Sequence, residues 1–186
     1  LKARLCVEGR RLLYAFCERH QVAHQRIGKL IIARTEAELG QIESIARQGK
    51  ANGVDDLVML DRQEVHRREP NVTAVAAVWS PSTGIVDSHG LMAALEGQAS
   101  ARGATLCYRH EVLGVRQVSG GYVVEYRAPD GERYETQCRW LINAAGLYAS
   151  QVSRALGLPP DRVPATHYAK GNYFVLQGGK PPFSRL

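Results

Sequence analysis

The sequence has no Gly-x-Gly-x-x-Gly turn and no Gly-x-x-x-x-Gly-Lys-Ser/Thr loop among its eighteen glycines. A nucleotide cradle built on either motif is thereby excluded from these 186 residues. Cysteine is scarce. The four residues, at positions 6, 17, 107 and 138, include no Cys-x-x-Cys pair. That spacing argues against a disulfide framework or a zinc ribbon and suits reduced, buried thiols in a cytoplasmic protein. His20 and His24, four apart on an expected helix, could share a face as metal ligands. They lack the His-Glu-x-x-His order and a third ligand, so a solvated helix end is the favoured reading and no metal is expected. No run approaches the roughly 18 to 20 apolar residues of a membrane span, and no secretory pattern opens the chain. Peripheral attachment to an inner membrane stays compatible with the sequence, because a surface patch leaves no such trace. The net charge is +6. The basic residues are scattered and not interleaved with aromatics, which argues against nucleic acid as a partner.

Apolar residues make up 45% of the chain and charged ones 23%, the composition of an ordinary globular protein with material for one domain or two partial ones. Residues 2–20 have helical spacing, with Leu5, Leu12, Leu13 and Phe16 on one face. An Ile-rich run over 27–33 is too short for a helix and reads as a strand. Thr35 with Glu38 forms a capping box for a helix that turns Leu39, Ile42 and Ile45 inward and ends at Gly53. Asp61 with Glu64 repeats the start signal, and Pro70 stops continuation. Residues 74–80 read as a strand, followed by a turn over 81–84. Ser88 is the expected N-cap of a helix bearing Leu91, Leu95 and Ala99. Strands are expected at 105–108, 112–118, 122–127 and 133–138, with an antiparallel turn at Pro129, Asp130 and Gly131, and a further strand at 172–177.

The segment 139–150 carries the most information. Trp140, Leu141 and Ile142 read as a buried strand, and Asn143, Ala144, Ala145 and Gly146 remove bulk where it ends. Helical spacing resumes from Ala149 to Leu156, closed by Gly157 and Pro159. Small residues at such a turn let a ligand's phosphates approach the backbone and the positive helix terminus. An ordinary tight turn explains the same residues.

With its flanks, the run from Ile142 to Ser150 resembles the second FAD-contacting motif of the D-amino-acid-oxidase-like flavoproteins. Within that superfamily the chain is most similar to the L-2-hydroxyglutarate dehydrogenase/oxidase group. The likeness is spread over residues 1–9, 28–33, the Arg68, Glu69, Pro70 triplet, 80–87, 111–115 and 170–173. It implies an α/β fold, α+β overall: part of a FAD-binding Rossmann-like domain interleaved with part of an antiparallel-sheet substrate domain. The implied division is a helical segment at 1–26, partial substrate domain at 27–84, partial FAD domain with a β-meander at 85–160, and a return to the substrate domain at 161–186. Because the family opens on a Gly-x-Gly-x-x-Gly cradle and runs on past the final segment, the chain is expected to be an internal piece of a longer flavoenzyme.

The resemblance also assigns residues. Glu111 and Val112 fall where the family's backbone meets the adenine end of FAD, although Val112 is equally explained as core. Ala144, Ala145 and Gly146 fall at the cofactor turn, with Leu147, Tyr148 and Ala149 at the helix start, where free N–H groups can meet phosphate or ribose. Lys170 and Tyr173 are the substrate-side candidates, one holding a carboxylate and the other orienting an α-hydroxyl, with Lys29 as a lesser one. Relatives often carry Arg where Lys170 stands, so Lys170 keeps the charge and gives up the bidentate fork. No catalytic base is identified. The implied reaction is oxidation of a 2-hydroxy acid to a 2-oxo acid, with oxygen or a quinone-linked acceptor taking the electrons. An amine or amino-acid oxidase of the same fold, and an inactive remnant that pairs with itself as a homo-oligomer, remain open.

Overall fold

The computed structural model describes residues 1–172 and 177–186. They gather into two compact units, residues 1–104 with 177–186, and residues 105–172.

The first unit contains α1 (Lys2–Arg19), β1 (His24–Gln25), β2 (Lys29–Ala33), a 3₁₀ turn at Glu36–Glu38, α2 (Leu39–Ala51), β3 (Val58–Asp61), α3 (Arg62–Arg68), β4 (Ala76–Ser80), β5 (Ile85–Val86) and α4 (Ser88–Ala101). Its main sheet is antiparallel, in the order β2-β4-β3. β4 lies between two strands and between two helices. Ala77 and Val78 are adjacent in sequence and point to opposite faces, yet both are 0% exposed. On one face Val78 packs with Ala33 and Ile42 of α2, and on the other Ala77 packs with Leu60 and Val65 of α3. Burial on both sides explains why this segment reads as a near-continuous apolar run.

Local chemistry sets the helix starts. Glu38 Oε2 accepts the backbone N–H of Arg34 at 2.6 Å and of Thr35 at 3.2 Å. Asp61 Oδ1 accepts the Glu64 N–H at 2.8 Å and so caps α3. The cap of α4 is Asp87, whose carboxylate accepts the His89 N–H at 3.1 Å, and not Ser88, which is already helical. The apolar face expected of α1 is in place but largely uncovered among the described residues: Leu5 is 54% and Leu12 55% exposed, and Cys17 is the buried residue.

In the second unit β6 (Glu111–Val118), β7 (Gly121–Arg127) and β8 (Arg133–Cys138) form an antiparallel meander, with a bulge between Val112 and Gly114. Val115 and Val124, paired across β6 and β7, are buried on one face, and Val123 is buried on the other. Gly121 has to be glycine, because a Cβ there would run into the Cys138 carbonyl. A 3₁₀ turn at Gly146–Tyr148 leads into α5 (Ala149–Ala155), which packs on β6, and a 3₁₀ turn at Pro160–Arg162 follows.

Several expectations are corrected. Residues 105–108 are irregular, not a strand. Residues 140–145 are irregular too, with Trp140 85% and Ile142 86% exposed. High β-propensity yields a strand only where another strand pairs with it, and among the described residues none lies beside this run. Of the strand expected at 172–177, residues 173–176 lie outside the described residues, while Asn172 and Gln177 have no strand structure. β1, β3 and β5 are unanticipated, being too short for a period-2 signal.

Two predictions follow from these contacts. Gly28 has φ +74°, and a Cβ there would run into the Trp79 indole, which lies beneath the Arg68 and Arg185 guanidiniums. In the complete protein Gly28→Ala is expected to cost at least about 1–2 kcal/mol from the backbone alone, measured by chemical denaturation. At the β7–β8 turn the Tyr134 hydroxyl donates to Asp130 Oδ2 at 2.8 Å, and the Glu132 N–H donates to Oδ1 at 3.0 Å. The phenol chiefly, then the backbone N–H, holds the Asp130 carboxyl below its usual value, and the same bond raises the Tyr134 phenol. The Asp130 contribution to stability is therefore present above the ordinary carboxylate range and lost as pH falls through the lowered value. The Tyr134 contribution is present below the ordinary phenol range and lost as pH rises through the raised value. Tyr134→Phe should return the Asp130 titration toward that of a free carboxylate, read by NMR; an unchanged titration would refute the assignment.

Candidate functional site

The turn between residues 143 and 149 is organised by Asn143. Its Nδ2 donates to the Ala149 carbonyl at 2.8 Å and to Ser153 Oγ at 3.1 Å, and its Oδ1 accepts the Ala145 N–H at 3.3 Å. One amide side chain thus fixes both the turn and the start of α5, which explains Asn at a position where bulk is otherwise removed. Gly146 has φ +55°, and a Cβ there would meet only open space, so its backbone angle and not crowding within the chain favours glycine. Residues 144–148 are exposed. The Tyr148 N–H donates to the Ala145 carbonyl at 3.0 Å, whereas no hydrogen bond engages the N–H groups of Ala144, Gly146 or Leu147 among the described residues. Exposed apolar side chains at Leu147 and Tyr148, both 66% exposed, flank these donors.

An open turn of small side chains with unengaged N–H donors suits the phosphate or ribose of a dinucleotide, so the residues present fit a portion of FAD. Of the residues at this turn, Ala144, Gly146 and Leu147 would meet it through their free N–H groups, while the N–H groups of Ala145, Tyr148 and Ala149 are taken within the chain. Glu111 and Val112 begin β6, the strand on which α5 packs. Glu111 pairs with Arg127 at 3.7 Å. Val112 is 50% exposed beside the bulge, so its role as a core residue is set aside.

The substrate-side candidates fall in different units. Lys170 is exposed and lies outside any helix or strand of the second unit, and Lys29 is exposed on β2 in the first. Tyr173 lies outside the described residues. Of the two spaced histidines, His20 packs against Phe16 with tilted rings, centroids 4.3 Å apart, and His24 Nδ1 lies 2.8 Å from the Val22 carbonyl. No three His, Cys, Asp or Glu side chains converge on a metal position among the described residues.

Other family-like stretches turn out to be joints. Glu69, 3% exposed, accepts the N–H and the hydroxyl of Ser184 at 2.9 and 2.6 Å, so the Arg68, Glu69, Pro70 triplet anchors a segment 115 residues away. In the 81–84 turn, Ser82 takes the Arg10 guanidinium on its hydroxyl and the Tyr14 hydroxyl on its carbonyl, the latter at 3.0 Å. Gly84 has no room for a Cβ against the Tyr14 hydroxyl and the Gln25 carbonyl. Nothing in local spacing announces either joint, because each partner is remote in sequence.

The chain matches the family described as FAD dependent oxidoreductase over residues 1–185. It is 35% identical to the mitochondrial L-2-hydroxyglutarate dehydrogenase of Arabidopsis thaliana, across 100% of this chain and 44% of that protein. It is 32% identical to the L-2-hydroxyglutarate dehydrogenase of Escherichia coli O17:K52:H18, across 95% of this chain and 40% of that protein. The chain therefore spans about two fifths of the length of these relatives. Among solved structures, the dithionite-reduced L-alpha-glycerophosphate oxidase of Mycoplasma pneumoniae with FAD bound superposes with a TM-score of 0.67 at 27% identity, covering 73% of this chain and 36% of that one. By sequence match and by fold, the chain belongs to the FAD dependent oxidoreductase family.

Proposed function

We propose that this chain forms part of a flavoenzyme that oxidises a 2-hydroxy acid of the L-2-hydroxyglutarate type to the 2-oxo acid. The observation that carries the reading is the exposed small-residue turn at 144–148, with its unengaged N–H groups, in a chain similar along its whole length to L-2-hydroxyglutarate dehydrogenases. In this reading the β6–β8 meander and α5 belong to a FAD-binding domain, and the β2-β4-β3 sheet with α2 and α3 belongs to a substrate domain. Bound FAD would supply the hydride-accepting chemistry for the substrate carbon, with oxygen or a quinone-linked compound as the final electron acceptor.

The chain's own residues then have limited tasks. Within the turn at 144–149, the free N–H groups of Ala144, Gly146 and Leu147 hold phosphate or ribose. Lys170, with Lys29 as a second candidate, supplies a positive charge for a substrate carboxylate, and Tyr173 orients the hydroxyl. Lysine is a point charge and does not impose the planar fork of arginine, so Lys170 sets the position of the carboxylate less tightly than arginine would. The complete protein works in the cytoplasm or against a membrane surface, and no helix among the described residues is long and apolar enough to cross a membrane.

The test is the visible flavin spectrum of the complete gene product, taken anaerobically. Bleaching by L-2-hydroxyglutarate, with no response to glycine, sarcosine or D-amino acids, is the expected result. Bleaching by an amine instead would keep the fold and overturn the substrate, and the absence of any flavin band would leave a remnant. Ala144→Leu puts bulk on an exposed turn, so it should lower flavin content while far-UV circular dichroism stays unchanged. Full flavin content in that variant would remove the turn from the cofactor site. Lys170→Ala should raise the substrate KM about tenfold or more, the loss expected for one charge-assisted contact.

A further inference from the structure

We infer that the first unit carries a phosphate-binding pocket, separate from the residues assigned to FAD and substrate, built by Arg34, Arg62 and His66. The sheet register creates it. Ala33 at the end of β2 and Asp61 at the end of β3 both pair with Ala76 of the central β4. Arg34, just past the end of β2, and Arg62, the first residue of α3, therefore flank Val75 from opposite sides, about 10 Å apart across two strand spacings. The Val75 N–H donates to the Ala33 carbonyl at 2.8 Å and ties the rim of the pocket to that sheet end. His66 lies one helical turn after Arg62 on α3 and so shares its face. These three side chains line one pocket with Val72, Thr73, Ala74 and Val75, and no carboxylate is among the lining residues.

Three of the nearby acids are already engaged. Glu38 is taken by two backbone N–H groups, Asp61 by the Glu64 N–H, and Glu64 pairs with Arg67 at 3.5 Å. Arg10, Arg26, Arg67, Arg116, Arg127 and Arg133 all have carboxylate partners. No ion pair or hydrogen bond engages the side chains of Arg34, Arg62 or His66 among the described residues. The cap of α3 is filled by Asp61, so the attraction comes from the side chains and not from the helix terminus. Two guanidinium forks and an imidazole offer more donors and charge than one carboxylate can satisfy. A tetrahedral phosphate, with three acceptor oxygens and up to two charges, matches them. That phosphate can belong to a soluble phosphomonoester or to a lipid headgroup.

Inorganic phosphate titrated calorimetrically into the complete, flavin-loaded protein tests the pocket. Saturable binding is expected that weakens as sodium chloride rises. Arg34→Gln and Arg62→Gln should each weaken it about tenfold, and His66→Gln should weaken it as well. Arg67→Gln is the control, since Glu64 already holds that guanidinium outside the pocket lining, and it should bind phosphate like the parent. No saturable binding, equal weakening in Arg67→Gln, or acetate binding as tightly as phosphate would each overturn the proposal. A second arm uses phosphatidic acid vesicles against phosphatidylcholine vesicles. Retention on phosphatidic acid that needs Arg34 and Arg62 assigns the phosphate to a membrane surface, and retention on neither assigns it to a soluble ester. These readouts are binding measurements, so their failure leaves the flavin and substrate reading untouched.

Discussion

The first unit depends on β4, a strand of alanine, valine and tryptophan held on all four sides. Ala77 and Val78 point to opposite faces, and each is sealed by a different helix. β2 and β3 then have to lie on either side of it, because the backbone groups of a buried strand have no access to water and need partners. Everything else in that unit is fixed to this strand. α2 and α3 cover its two faces, and the 81–84 turn leaves its end and meets α1 through Ser82.

The second unit rests on a smaller device. A β-meander with modest burial supports α5, and Asn143 joins the strand-side chain to that helix through hydrogen bonds to Ala145, Ala149 and Ser153. An amide is suited to the task because it donates and accepts at once. The result is a turn whose shape is held by one side chain while the backbone at 144–147 stays exposed. Asn143 supplies rigidity from below, and the exposed Leu147 and Tyr148 side chains flank the open backbone.

The two units use charge differently. On the meander, arginines and glutamates pair across strands, as in Arg116 with Glu135 at 2.9 Å and Arg133 with Glu125 at 3.2 Å. All of these groups are largely solvated, so each pair contributes little to stability and serves chiefly to match the strand edges. On the β2-β4-β3 sheet the acids are diverted to helix caps, which leaves Arg34 and Arg62 uncompensated at one sheet end. Capping chemistry and an anion-attracting surface thus have the same origin.

The sequence by itself determined what is settled within a few residues. Asp61 caps α3 because its carboxylate reaches an N–H three residues on, and Thr35 with Glu38 marks a helix start for the same reason. The strand at 74–80 was legible, though not its burial on both faces, and the turn at 144–149 was legible as a loss of bulk before helical spacing. The tertiary structure decided whatever needs a remote partner. The run from Trp140 to Ala145 has the propensity of a strand but no neighbour among the described residues, so it stays irregular and Trp140 and Ile142 face solvent. The stripe of α1 announces a helix without saying what covers it. Glu69 meets Ser184, and Arg34 and Arg62, 28 positions apart, become neighbours across Val75 through a register that only pairing with β4 sets. Propensity and capping act over one turn of chain, whereas register and burial depend on contacts between segments far apart in sequence, which no local pattern encodes.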